Sequence, residues 1–211
     1  MGIKMKFRAI FALSSLWFAT EASAHPHSFL DIQTKALMQE TQLTGFQMHW
    51  TLDEIASAEL IYEVKSSKNP EETKKKITQE MIDTAKNEHY FSYLYNANGE
   101  LQKFTDKPTD YAFEIAQNRI VFRVKFYLET PQELKNAPAT LMSYEPTYYM
   151  GIEYNRHSDV SISNSACQIR IEQPKVDQSL RLYASNLDKN ETPDDLSLGR
   201  QFAQRVIMVC E

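Results

Sequence analysis

His25, Pro26 and His27 put two imidazoles within three residues, and they stand directly after a segment with the layout of a secretory signal. Imidazole has an unperturbed pKa of about 6.5, so at neutral pH it offers a free lone pair to a metal ion. Lys4, Lys6 and Arg8 form a basic n-region, Ala9 to Ala19 an apolar stretch too short to span a bilayer, and Ala22-Ser23-Ala24 a small-residue cleavage site. Cleavage after Ala24 creates a new amine on His25, so export itself would assemble the chelating end; uncut, the segment would be an anchor. Pro26 has no N–H to lose, which disfavours a copper clamp built on successive deprotonated amides. Chelation by the His25 amine and its own imidazole stays open. The structural alternative is a frayed tail.

His49 is followed four residues later by Asp53, and a helix beginning early enough would put both on one face. Alone, His49 reads as a hydrogen-bonded structural histidine; beside His25, His27 and the carboxylates it reads as a ligand. His89 precedes an aromatic run and His157 sits in a polar loop, so both are weak candidates. Cys167 and Cys210, an even and minimal count in an exported chain, are expected to form one disulfide. Their wide spacing lacks the C-x-x-C signature of a thiolate metal pair.

Charge and length narrow the classes. Residues 25–211 carry a net charge of −7, since the signal takes Lys4, Lys6, Arg8 and Glu21 with it out of the −5 of the whole chain. Nucleic acid, which needs clustered cations, is excluded as a partner. Beyond the signal no apolar run approaches the roughly 18 residues of a membrane span, so the mature protein is expected to be soluble. There is no H-E-x-x-H pattern, nucleophile elbow or Ser/His/Asp arrangement, so the chain is read as non-enzymatic.

The elements that must position these residues are mostly strands. Ser28 to Gln39 and Leu43 to Thr51 alternate as strands joined by a polar turn, with His27, Phe29 and Asp31 on one face. Asp53 and Glu54 open a helix in which Ile55, Ala58 and Tyr62 recur at helical spacing, and Glu71 to about Asn87 is a second helix with a stripe at Ile77, Met81 and Ala85. Tyr90 to Tyr95 and Glu100 to Phe104 flank a hairpin signal at Asn98-Gly99. Tyr111 to Ile115, Ile120 to Leu128, Thr140 to Tyr144, Tyr148 to Tyr154 and Ala166 to Glu172 are further strands. Gln173 to Pro193 reads as turns around a short Leu180–Leu182 strand, and Leu198 to Cys210 as a helical turn leading into a strand. The expectation is one α+β domain over residues 25–211, mainly antiparallel sheet with two or three helices.

The order His25-Pro26-His27, Phe29, Asp31, then His49-Trp50-Thr51-x-Asp53-Glu54, Tyr90-Phe91, Pro108-Thr109-Asp110-Tyr111 and Tyr144-Glu145-Pro146-Thr147-Tyr148-Tyr149 resembles a periplasmic family encoded beside nickel/cobalt-type permeases, one branch of which is the ZevA-like component of a zinc-uptake system. The resemblance covers most of the mature chain, including the Cys167 segment and Arg205 to Cys210. It implies a periplasmic protein that handles a divalent metal for an inner-membrane metal permease, zinc first, with nickel, cobalt and copper as alternatives. Glu145 stands where the family commonly has Asp.

Zinc takes four N, S or O ligands, so His25, His27 and His49 with one of Asp31, Asp53 or Glu145 would complete a site. Asp53 has a second reading as a helix N-terminal charge, and Asp31 as a group orienting an imidazole. Two other classes remain: a copper or zinc enzyme built on the N-terminal histidine, and a periplasmic adaptor that binds no metal.

Overall fold

Strict alternation over Ile120, Phe122, Val124, Phe126 and Leu128 puts five apolar side chains on one face of a long strand, and all five are buried. The computed structural model describes residues 26–187, 193 and 197–211. Within them the strands are β1 (Ser28–Gln39), β2 (Gln42–Leu52), β3 (Ser92–Tyr95), β4 (Leu101–Gln102), β5 (Thr109–Ala116), β6 (Arg119–Glu133), β7 (Ala139–Ser143), β8 (Met150–Glu153), β9 (Val160–Ile162), β10 (Cys167–Glu172) and β11 (Arg205–Cys210). The helices are α1 (Glu54–Ser66), α2 (Pro70–Asn87), α3 (Gln178–Asn186) and α4 (Leu198–Phe202). Among the described residues no helix is long and apolar enough to cross a membrane.

The larger sheet runs β5-β6-β2-β1-β8, with β9 also on β1. β1 and β2 are antiparallel, with Asp31 opposite Thr51 and Gln33 opposite His49, while β8 and β9 lie parallel to β1. Its inner face carries Leu30, Ile32, Met48, Trp50 and Phe122; its outer face carries Asp31, Gln33, His49, Arg119 and Arg123. Close approach of β2 to β6 requires glycine at Gly45, where a Cβ would overlap the Phe126 carbonyl oxygen. The second sheet runs β10-β11-β7-β3-β4, antiparallel throughout. Tyr90 stacks on Phe126 at 4.2 Å, and Ser92 Oγ donates to Met48 Sδ at 3.6 Å, so both sheets share one core. The result is a single α+β domain.

Cys167 and Cys210 are directly opposite on β10 and β11 and form a disulfide that closes a 43-residue separation. Its partners are thus already neighbours in the ladder, and the bond ties the last strand to an edge strand.

Three local expectations are revised. Asn98-Gly99 does make a hairpin, but only Gly99 has positive φ, at 79°; the Asn96 side chain accepts from the N–H groups of Asn98 and Glu100 and holds a turn with one left-handed residue. His89–Phe91 is a 3-10 turn with all three φ angles positive, so the strand starts at Ser92 rather than Tyr90. Leu180–Leu182 is helical: Asp177 caps α3 by accepting from the Leu180 N–H at 2.8 Å, and Leu180, Ala184 and Leu187 at helical spacing pack against Leu198 and Phe202. The helix at Glu54 forms as expected but is rotated. Ser57, Ile61 and Val64 face the core, because buried Ser57 Oγ accepts from the Ile120 N–H and donates to the Leu52 carbonyl. Ile55, Ala58 and Tyr62 therefore point outward.

Candidate functional site

The described chain begins at Pro26, and His25 lies outside the described residues. His27 is anchored to the segment before β8. The His27 N–H donates to the Tyr149 carbonyl at 2.9 Å, and the two rings lie 5.2 Å apart at 44°. Tyr149 ends a turn organised by Glu145, whose carboxylate accepts from the Thr147 N–H and hydroxyl and from the Tyr149 N–H at 2.7 Å. That turn holds Tyr148 at φ 63° with its ring stacked on Phe202 at 4.0 Å. Gly199 in α4 donates to the Pro146 carbonyl, and a Cβ there would overlap the Glu145 carbonyl oxygen. His27 and Glu145 thus meet at one turn, through Tyr149.

Asp53 serves the other side of the same segment. Its Oδ1 accepts from the Ala56 N–H at 2.9 Å and caps α1, while Oδ2 accepts from Ser28 Oγ at 2.7 Å and the Phe29 N–H at 2.9 Å. Partial burial pushes this carboxyl upward, but the hydrogen bonds from Ala56, Phe29, Ser28 and Ile55 outweigh it and leave the group below the usual range. The second reading of Asp53, a helix N-terminal charge, is the one its contacts match. It also staples β1 to α1.

His49 and Asp31 lie elsewhere, on the outer face of the larger sheet. Gln33, opposite His49, is six residues from His27, which at about 3.3 Å per residue puts the backbones of the two histidines roughly 20 Å apart. His49 is half-buried, and burial first, then the neighbouring Arg123 guanidinium, lowers its pKa, so the ring is neutral at pH 7. Asp31 accepts from Arg119 at 2.9 Å and from Asn155 Nδ2 at 2.9 Å. Beside them buried Asp159 accepts from the Arg156 N–H, the Arg156 guanidinium and Gln33. Two adjoining clefts of about 260 and 330 Å³ share Gln33, His49 and Asp159. Five of the six expected ligands lie within the described residues, and they divide into an edge pair, His27 and Glu145, with Asp53 across β1, and a face pair, His49 and Asp31. Among the described residues no group of three or more His, Cys, Asp or Glu is arranged to hold a metal ion.

Of the weak candidates, His89 Nδ1 is 2.9 Å from the Ser92 carbonyl and its ring stacks on Tyr93, a packing role. His157 is exposed in a 3-10 turn whose last residue is Asp159.

A family model described as protein of unknown function, DUF1007, matches residues 10–210. The chain belongs to the DUF1007 family. An uncharacterized protein of Haemophilus influenzae is 38% identical over 201 residues, covering 94% of this chain and 97% of that one. No solved structure matches. In this DUF1007 chain, sequence reasoning missed Gln33, Arg119, Arg123 and Asp159. Period two from Asp31 identifies Gln33 as its neighbour on the same face. Arg119, Arg123 and Asp159 come from β6 and a connecting turn, and only the strand order brings them there.

Proposed function

We propose that this DUF1007 protein is a periplasmic, non-enzymatic divalent-metal-binding component of the ZevA-like kind, with zinc as its first cargo, working with an inner-membrane metal permease. The observation that carries the reading is the anchoring of His27 against Tyr149 and the Glu145 turn. It fixes one imidazole at the domain edge, two residues from the amine that cleavage would create. His25 and His27 would supply the protein ligands, and water or a partner's side chains the remainder. A site with so few protein ligands releases its ion readily, as delivery to a permease requires. Nickel, cobalt and copper are accepted by the same ligand types, and affinity order favours copper, so zinc rests on the resemblance. The disulfide agrees with an oxidising compartment.

A metal-free adaptor is the second reading, favoured by the engagement of Asp31, Asp53 and Glu145 in bonds of their own. Calorimetric zinc titration of residues 25–211 separates the two. The proposal expects stoichiometric binding that falls at least tenfold in His25→Ala/His27→Ala while Tm holds. No heat of binding in the unsubstituted protein refutes it and leaves the adaptor.

A further inference from the structure

Helix α1 carries apolar side chains on two faces. One packs on the core; the other presents Ile55, 83% exposed, Ala58 and Tyr62, 74% exposed, along one line at helical spacing. At the start of the helix the Asp53 carboxylate bonds Ser28 Oγ and the Phe29 N–H, so the stripe begins where α1 is stapled to β1. A helix apolar on both faces requires two coverings, and the domain supplies one. Glu54, Glu59 and Glu63 border the stripe, and none of them forms an ion pair among the described residues.

We infer that this stripe is the docking surface for a protein partner that offers an apolar groove with a basic rim, α1 inserting Ile55, Ala58 and Tyr62 as its anchors. Charge selects this occupant. A second copy would bring together helices that each carry three glutamates against one cation, Lys65, and a bilayer surface with anionic headgroups would repel the same excess of negative charge. Position agrees: the Asp53 cap joins the start of α1 to Ser28 and Phe29, so the stripe begins beside the first residues of β1, which directly follow His27. A partner seated there is within reach of cargo. The inference rests on that reading for the identity of the partner, a membrane permease, and on α1 alone for the surface.

The test uses right-side-out inner-membrane vesicles of the source organism and cosedimentation of the mature protein. The expected result is saturable binding that weakens with salt, falls at least tenfold in Ile55→Asp/Tyr62→Asp and in Glu59→Lys/Glu63→Lys, and is lost on vesicles shaved with protease. Both variants should keep the Tm, since these side chains face outward, and should keep the zinc affinity of the unsubstituted protein. Equal binding to liposomes of the extracted lipids, a dimer that Ile55→Asp/Tyr62→Asp dissolves, undiminished binding of the variants, or no binding overturns the inference. Vesicle binding without any zinc binding refutes the metal reading and leaves the surface standing; zinc binding without vesicle binding does the reverse.

Discussion

Replacing Asp53 with alanine tests whether this carboxylate belongs to the fold or to a metal. The substitution removes a helix cap worth about 1 kcal/mol and two further bonds, to Ser28 Oγ and the Phe29 N–H, worth about 1 kcal/mol each, for a loss of about 3 kcal/mol. At this chain length each kcal/mol moves Tm by about 2–4 °C, so thermal unfolding followed by circular dichroism should show a drop of about 6–12 °C at pH 7. Asp53→Asn should lose less, because its amide oxygen can keep the Ala56 bond. The folded carboxyl titrates below its unfolded value of about 3.9, so its contribution is complete above that pH and is lost as pH falls through the folded pKa. The gap between the original protein and Asp53→Ala should therefore be constant from pH 7 to about 5 and narrow toward pH 3. An unchanged Tm refutes the reasoning, as does a gap that ignores pH. Lost zinc affinity at constant Tm would make Asp53 a ligand after all.

Opening the Cys167–Cys210 bond, by reduction or Cys→Ser at both positions, removes a constraint of about 4 kcal/mol in the chain-entropy model for 43 residues, and Tm should fall by at least 8 °C, about 2 °C per kcal/mol, in scans with and without dithiothreitol. His49 should titrate by NMR with a midpoint below about 6.5, and Arg123→Gln should move that midpoint upward, since the guanidinium that opposes protonation is gone while Glu114 and Asp110 remain. Because the folded pKa is depressed, the stability that neutral His49 contributes is present above about pH 6.5 and declines as pH falls from there through the folded value.

Much of the fold was legible because short-range patterns settle it. The alternation from Ile120 to Leu128 and from Leu30 to Ala36 specified strands with one wet face, and every one of those inward positions is buried. The acidic start at Asp53 marked the helix boundary, since the cap is a contact over three residues. Helix rotation was not legible: periodicity offered Ile55, Ala58 and Tyr62 as the stripe, and a buried serine, bonded to the nearby Leu52 carbonyl and to Ile120 of the distant β6, decided that they face outward. The 3-10 turn at His89–Phe91 and the helix at Gln178–Asn186 were misread because positive φ at aromatic residues has no compositional mark, and because the apolar side chains of α3 make sense only against α4.

The residue types that could do chemistry were set by the sequence: histidines at 25, 27 and 49, carboxylates at 31, 53 and 145, and one pair of cysteines. Tertiary structure alone divided them. Local spacing fixes which face of a strand a side chain occupies, so the common outward orientation of Asp31 and His49 was within its reach. The distance between His27 and His49 depends on strand register, and the bonds from Ser28 and Phe29 that engage Asp53 depend on where β1 meets the start of α1. Those are long-range pairings, which no local pattern encodes.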